Sequence, residues 1–212
     1  MVRTPQRGQP TVTQTRQTEK QIRSFIAIPV PDEGIQALET VVQDFDAEIG
    51  RHVRWVRLEG IHLTLKFMGN IPAGMVDRVL ADLPTVTAKF SPFKVGISGF
   101  GAFPNLRQPR VLWAGLDGDL ATLASMQLAV DDAVGNLGLP KEQRGFSPHL
   151  TLGRVRREVA DGQLRKIGAV VSAAKLAVSP SWTSSAINLM RTELDPAGSR
   201  HYLVGSATIG GG

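Results

Sequence analysis

The chain has 212 residues, of which 42% are apolar and 20% are charged, a composition typical of a globular domain that buries its core without staples. It contains no cysteine, which excludes disulfides, thiolate metal centres and a cysteine nucleophile and is compatible with a cytoplasmic location. The net charge is only +5 and no apolar run is long enough to span a bilayer, so we expect neither duplex binding nor a membrane.

The first 22 residues are rich in Thr, Gln, Arg and Pro and have few apolar side chains. Such a segment cannot bury enough surface to offset the entropy of ordering it, so we predict a disordered basic tail over residues 1–22. The tail either contacts RNA or is only solvated, and its composition leaves both open. The rest of the chain is nearly neutral, which suits a small anionic ligand or a short RNA end. The glycines at 210–212 are expected to be frayed.

The first half of the predicted domain alternates strands with helices. Apolar runs of strand length and apolar residues at helical spacing predict a strand at Phe25–Val30, a helix at Asp32–Ile49, strands at Val53–Val56 and Leu63–Phe67, and a helix at Ala73–Ala88. Gly69 and Asn70 are expected to end the strand before them. Pro84 is expected to end or kink the second helix.

The second half repeats this alternation. The predicted elements are strands at Phe93–Ile97 and Val111–Leu116, a helix at Leu120–Leu137, a strand at Leu150–Val155, a helix near Asp161–Val171, and strands at Lys175–Val178, Ala186–Leu194 and His201–Thr208. Gly96, Gly99 and Gly101 indicate a bulged or sharply bent hairpin. We therefore predict an α+β fold, in which one bilobal domain over residues 23–209 has two pseudo-symmetric lobes of antiparallel sheet. Helices should cover the outer faces, with an active-site cleft between the lobes.

The tetrapeptide His-Leu-Thr-Leu occurs twice, at residues 62–65 and 149–152, and contains two of the four histidines of the chain. Because alternate residues of a strand face the same way, each His should lie beside its Thr, about 7 Å along the strand. The leucines, together with Phe67, should pack on the opposite face under a helix. Two such strands brought together would place two imidazoles and two hydroxyls in one cleft.

This set of groups suits the hydrolysis of a phosphodiester, which needs a base to deprotonate water and an acid to protonate the leaving oxygen. Histidine, with an ordinary pKa near 6.5, can do either. His62 and His149 on opposite sides of the phosphorus would allow in-line displacement, while Thr64 and Thr151 would hydrogen-bond the nonbridging oxygens. We expect no cofactor and no metal site, since zinc takes at least three protein ligands even in catalytic sites and neither motif has a carboxylate.

On these motifs the sequence resembles the two-histidine (2H) phosphoesterase superfamily, in particular the bacterial and archaeal RNA 2',3'-cyclic phosphodiesterases, also called 2'-5' RNA ligases. The resemblance runs from about residue 23 to residue 202. The segments that carry it are Arg23–Ile28, Trp55–Val56, His62–Gly69, Gly101–Pro104, Pro109–Trp113 and Phe146–Arg154.

The resemblance implies metal-independent opening of RNA 2',3'-cyclic phosphate ends to 2'-phosphates. It also implies that His62 is the general acid that protonates the leaving 3' oxygen and that His149 is the base that activates water. A 5'-hydroxyl in place of water would give a 2'-5' linkage. Chemistry alone leaves the two histidines interchangeable.

Three further side chains are weaker candidates for substrate binding. Arg154 could bind a phosphate bidentately, but simple alternation places it on the face of Leu150 and Leu152, so it reaches the cleft only if the strand twists or bulges. Arg23 could reach the cleft or be solvated, as Phe25 beside it could reach the cleft or pack in the core. Phe103 could stack on a base or belong to the core.

Two histidines lie outside the motifs. His52 and His201 have no threonine two residues on, and we expect both to be structural or at the surface. The expected partners are RNA termini or nucleoside cyclic phosphates, and the expected state is a monomer. Two alternatives stay open, namely a cyclic phosphodiesterase for a small metabolite, such as a cyclic phosphate of ADP-ribose, and a non-catalytic module that binds a nucleotide.

Overall fold

The computed structural model describes residues 19–195 and 198–211. The prediction of a disordered tail at residues 1–18, and that of fraying at Gly212, lie outside the described residues. Two residues of the predicted tail, Gln21 and Ile22, already belong to the first strand. The other end of the chain is hydrogen-bonded as far as Gly210, whose N–H donates to the carbonyl of Thr87 at 3.2 Å.

Within the described ranges the chain forms nine strands and four α-helices. In chain order they are β1 (Gln21–Pro29), α1 (Asp32–Ile49), β2 (Val53–Trp55), β3 (His62–Pro72), α2 (Ala73–Thr87), β4 (Phe93–Phe103), β5 (Val111–Gly118), α3 (Leu120–Asn136), β6 (Leu150–Val155), α4 (Asp161–Ala173), β7 (Ser181–Ser184), β8 (Ala186–Asp195) and β9 (Gly198–Thr208). Short 3-10 turns at Gly50–His52 and Leu58–Gly60 flank β2.

All nine strands belong to one antiparallel sheet. Its order is β7-β4-β5-β6-β3-β1-β8-β9, and β2 adds to β6. The β6–β3 junction divides the sheet into a first lobe (β1, β3, β8 and β9) and a second lobe (β2 and β4 to β7). This arrangement confirms the predicted α+β fold with two pseudo-symmetric lobes. The C-terminal strands complete the lobe that β1 and β3 begin, so the lobes are not the two halves of the chain.

The helices bury the apolar sides of the lobes. Helix α2 packs on β1, β3, β8 and β9, and α4 packs on β4. Although α1 follows β1 of the first lobe in the chain, it packs on the second lobe, where Phe45 meets the ring of Phe100 edge-on at 5.7 Å. The buried side chains of both lobes form one continuous apolar cluster, which holds the β6–β3 junction in place.

Two predicted interruptions do not occur. Strand β3 continues through Gly69 to Pro72, because the β1–β3 register skips Met68 and Gly69 adopts a φ of 70°, which glycine tolerates. Helix α2 continues past Pro84 to Thr87. Proline costs a helix one backbone hydrogen bond, and in the last turn that loss is limited.

The predicted strand at Lys175–Val178 is wrong. That segment is irregular and Val178 is 74% exposed, whereas the strand forms at Ser181–Ser184 and pairs with β4. The alternation there buries Trp182 and Ser184 and exposes the other two side chains. The predicted bulge in the glycine-rich strand is confirmed, since the β4–β5 register shifts between Ile97 and Phe100, where Gly99 has a φ of 67°.

Candidate active site

The two His-Leu-Thr-Leu segments meet at the junction of the lobes. Leu63 of β3 pairs with Leu150 of β6, and both leucines are fully buried. Since neighbouring residues run in opposite order in an antiparallel pair, His62 lies across from Thr151, and Thr64 lies across from His149. The pairing thus brings together the four side chains that the repeat predicted.

A cavity of about 240 Å³ opens at this junction. Its described lining includes His62, Thr64 and Thr151. His149 lies across the junction from Thr64, and it is near enough to His62 for its charge to lower the pKa of His62. The cavity therefore lies on the His62 side of the histidine pair.

Each motif histidine is held by the same local hydrogen bond. The Nδ1 atom of His62 lies 2.7 Å from the carbonyl oxygen of Gly60, and that of His149 lies 2.8 Å from the carbonyl oxygen of Ser147. A carbonyl can only accept, so Nδ1–H is the donor in both rings. In both lobes this leaves Nε2 as the nitrogen that can exchange a proton with a substrate.

Aromatic rings enclose His62. Phe25, which is 2% exposed, stacks on it with centroids 4.4 Å apart, and His201 meets it edge-on at 5.1 Å. Burial is the main cause that lowers the pKa of His62 to about 4. The hydrogen bond to Gly60 raises this pKa, and the nearby His201 and His149 lower it. His62 is therefore neutral at pH 7.

Phe103 lies beside the other motif histidine. Its ring meets that of His149 edge-on at 4.9 Å and lies 5.4 Å from Trp113. This contact gives Phe103 a place next to the histidine pair. Within the described part of the chain it does not line the cavity, so a base bound there would not stack on it.

Arg154 reaches the cleft because β6 bulges. The β5–β6 register skips Leu152, which turns Arg154 to the same face as Thr151, and its side chain lines the cavity. Simple alternation would have kept it on the leucine face.

The prediction that Phe67 packs under a helix is wrong, because β3 has a bulge equivalent to the one in β6. The β1–β3 register skips Leu65, so Lys66 is buried and Phe67 is 48% exposed and lines the cavity instead of packing under a helix. Arg23 also lines the cavity and lies with its guanidinium 4.6 Å from the centre of the Phe67 ring.

Several polar side chains that line the cavity were not predicted. His201 was expected to be structural or at the surface, but it lines the cavity, and its Nδ1 lies 3.0 Å from the hydroxyl of Thr192. Burial lowers the pKa of His201. Arg54 and Arg57 also line the cavity. No repeat or spacing in the sequence marks these residues. They reach the cavity through the β8–β9 and β2–β6 strand pairings, which a local pattern does not reveal. His52, by contrast, accepts a hydrogen bond from Arg51 at 3.0 Å, outside the cavity lining of the described chain.

Over residues 19–195 and 198–211, no three His, Asp or Glu side chains cluster closely enough to hold a metal ion. In the same ranges, no helix has the length and apolar character that crossing a membrane requires.

A two-lobed antiparallel sheet with a His-x-Thr segment on each junction strand defines a two-histidine phosphoesterase. The sequence model of the LigT-like phosphoesterase family matches residues 28–113. An RNA 2',3'-cyclic phosphodiesterase of Methanothermobacter thermautotrophicus is 30% identical over 84% of this chain and 93% of its own length. One of Archaeoglobus fulgidus is 36% identical over 66% of this chain and 78% of its own length. The chain therefore belongs to the LigT-like family of two-histidine phosphoesterases, which confirms the resemblance seen in the motifs.

Solved structures show the same fold. A crystal structure of a Thermus thermophilus protein superposes with a TM-score of 0.68 at 24% identity, over 90% of this chain and 99% of that one. The structure of E. coli LigT complexed with 3'-AMP superposes with a TM-score of 0.65 at 20% identity, over 90% of this chain and 99% of LigT.

Proposed function

We propose that this protein opens 2',3'-cyclic phosphate ends of RNA by hydrolysis and leaves a 2'-phosphomonoester. The matched histidine pair carries the proposal, since each ring donates through Nδ1 to the backbone and keeps Nε2 for proton transfer. The two threonine hydroxyls next to the histidines add donors for the phosphate oxygens. The names of the relatives and the 3'-AMP bound to LigT support a nucleotide phosphate as ligand.

In the proposed reaction, Nε2 of His149 takes a proton from water while the water oxygen bonds to phosphorus. The bond from phosphorus to the 3' oxygen breaks, and Nε2–H of His62 supplies the proton to that oxygen. Thr64 and Thr151 donate hydrogen bonds to the nonbridging oxygens as their charge grows. The two histidines perform both proton transfers, so the step requires no metal. Solvent then restores their starting protonation.

To act as the acid, His62 must be protonated. Its low pKa keeps it unprotonated at neutral pH when no substrate is bound. Burial keeps that ring neutral at pH 7. A bound cyclic phosphate carries a negative charge, and an opposite charge within a few ångströms favours the protonated imidazole. We therefore expect substrate binding to raise the pKa of His62, which favours the charged acid when a leaving group is present.

The same geometry supports 2'-5' ligation. If a 5'-hydroxyl occupies the place of the attacking water, His149 deprotonates it and the product is a 2'-5' phosphodiester. We further propose that one chain is sufficient for activity, since the two lobes of a single 23–209 domain supply both histidines, and that it works in the cytoplasm.

The test is product analysis of a nucleoside 2',3'-cyclic phosphate and a cyclic-phosphate-ended RNA, incubated in EDTA and resolved by chromatography and ³¹P NMR. We expect the 2'-phosphate only. His62→Ala and His149→Ala should abolish turnover and retain nucleotide affinity, and His52→Ala is the matched control with full activity. Undiminished hydrolysis by either motif variant would rule out the two-histidine mechanism.

Two other results would replace the proposed substrate. Turnover of a cyclic phosphate of ADP-ribose without turnover of RNA would identify a metabolite phosphodiesterase. Nucleotide binding without any turnover would identify a binding module.

A further inference from the structure

His201 lies at the side of the His62 ring, although it belongs to neither motif. The rings of His62, Phe25 and His201 come from β3, β1 and β9, three strands of the first lobe. His62 and Phe25 stack with an angle of 25° between their planes, and His201 is nearly perpendicular to both, at 84°. Its centroid is 5.0 Å from that of Phe25 and 5.1 Å from that of His62, so His201 stands beside the stack and closes one side of it.

Neighbouring residues fix the position of His201. Thr192 is its direct partner across the β8–β9 ladder, and the Thr192 hydroxyl lies 3.0 Å from Nδ1 of His201. On another side the ring faces Gly60, because a β-carbon added to Gly60 would lie 3.5 Å from Cδ2 of His201. His201 therefore borders both the ring of His62 and the residue whose carbonyl accepts the hydrogen bond from that ring.

The His62 ring has open space on two sides. One is the cavity of about 240 Å³ at the junction of the lobes. The other is a second cavity of about 180 Å³, which is lined by His62, His201 and Gly60 together with side chains of β8. An imidazole that borders two cavities can tilt towards either one unless neighbouring side chains prevent it. Such a tilt matters because misplacing a reacting group by about 1 Å can lower a rate by about 100-fold.

We propose that His201 is a positioning residue for the acid, and that its ring keeps the imidazole of His62 from tilting into the second cavity, so that Nε2–H stays directed at the leaving oxygen. The contact depends on the shape of the His201 ring, because edge-on packing requires an aromatic ring and not a charge. This inference rests on the proposed function, in which His62 is the acid, and adds a third histidine that acts through the first.

The experiment measures kcat and KM of three variants on adenosine 2',3'-cyclic phosphate. His201→Ala and His201→Gln should lower kcat by about tenfold, the size of two lost ring contacts, and change KM little. His201→Phe keeps a ring and should recover most of that loss, while His52→Ala is the control with wild-type kcat. Equal losses of kcat in His201→Phe and His201→Ala would overturn the inference, because the role of His201 would then depend on its imidazole nitrogens. A change in KM alone would also overturn it and assign His201 to substrate binding.

A substrate with sulfur in place of the 3' oxygen separates an effect on the acid from a general loss of structure. Its thiolate leaves without a proton, so His201→Ala should convert it about as fast as the wild type does. That result would also show that the variant is folded. A tenfold loss that persists on the sulfur substrate would overturn the inference, since His201 would then act on the fold or on the phosphate and not on the acid.

The order of the His62 ring can be measured even if the protein catalyses nothing. The Nδ1–H that donates to Gly60 should give a protected proton signal in ¹H–¹⁵N NMR spectra of the wild type and of His201→Phe. In His201→Ala that proton should exchange with solvent about tenfold faster, because the ring opens more often. An unchanged exchange rate in His201→Ala would overturn the inference. The expected exchange rates in a wild-type protein without turnover would support the positioning of His62 and overturn only the proposed function.

Discussion

Phe67 and Arg154 occupy equivalent places in the two lobes, each five residues after its motif histidine and each turned into the cavity by a bulge at the second leucine of the motif. The pseudo-symmetric scaffold thus offers an aromatic face on one side of the junction and a guanidinium on the other. A substrate with a base at one end and a phosphate at the other can bind in only one sense. The asymmetry of these two residues gives a physical reason for the different roles proposed for the two similar histidines.

The assignment of His62 as the acid predicts rescue by a better leaving group. A cyclic phosphate with sulfur in place of the 3' oxygen expels a thiolate, which needs no protonation. His62→Ala should regain much of its lost activity on that substrate, whereas His149→Ala should remain inactive because water still has to be deprotonated. Steady-state rates on the oxygen and sulfur substrates are the measurement, and rescue of His149→Ala alone would reverse the assignment.

The low pKa of His62 predicts that acid destabilises the fold within a defined pH window. The pKa is about 4 in the folded protein and about 6.5 when the chain is unfolded, so the unfolded chain binds more protons between these values. The free energy of unfolding should fall as the pH drops from about 6.5 to about 4, by on the order of 3 kcal/mol from this residue.

Urea titrations at several pH values measure this effect. His62→Gln should flatten the slope in that window relative to the wild type. His201, whose pKa is also lowered by burial, contributes in the same direction and is present in both proteins. Identical slopes in the two proteins would contradict the prediction.

The threonines should contribute to kcat through their hydroxyls. Thr64→Val and Thr151→Val keep the shape of the side chain, and we expect each to lower kcat by about 100-fold, as for the loss of one donor to a developing oxyanion. Thr64→Ser and Thr151→Ser should be close to wild type. Thr183→Val, on the exposed face of β7, is the control. A change in KM alone would assign the hydroxyls to ground-state binding.

A buried ion pair connects β3 to the segment before the second motif. Nζ of Lys66 lies 2.5 Å from Oδ1 of Asp131 and 2.6 Å from the carbonyl of Pro140, and Asp131 accepts from the backbone N–H of Glu142 at 3.0 Å. The two charged side chains are only 4% and 9% exposed. Their network holds residues 140–142 in place, shortly before His149.

Lys66→Met should therefore lower the free energy of unfolding by about 3–5 kcal/mol, because it leaves Asp131 buried without its counter-charge. Denaturant titration measures this, and the double variant Lys66→Met with Asp131→Leu should recover much of the loss. Lys141→Ala removes an exposed pair with Asp132, the next residue on α3, and should change stability little. Equal effects of Lys66→Met and Lys141→Ala would show that the buried pair does not stabilise the fold.

The sequence by itself determined the chemistry of the site and most of the secondary structure. The repeated tetrapeptide identifies two histidines and two threonines, because a His-x-Thr spacing on a regular strand puts both groups on one face. The bounds of β6 and the start of α1 can also be predicted from the sequence, since an apolar run and a helical period are local properties of the chain.

Only the tertiary structure decided which other side chains enter the cavity. Side chains of a strand alternate between the two faces of the sheet, and this local rule holds until a bulge reverses it. The bulges at Leu65 and Leu152 depend on the register with β1 and β5. His201 reaches the cavity through the pairing of β9 with β8, and Arg54 meets Arg154 through the pairing of β2 with β6. Such contacts join residues far apart in the chain, and no local pattern of side chains encodes the register that brings them together.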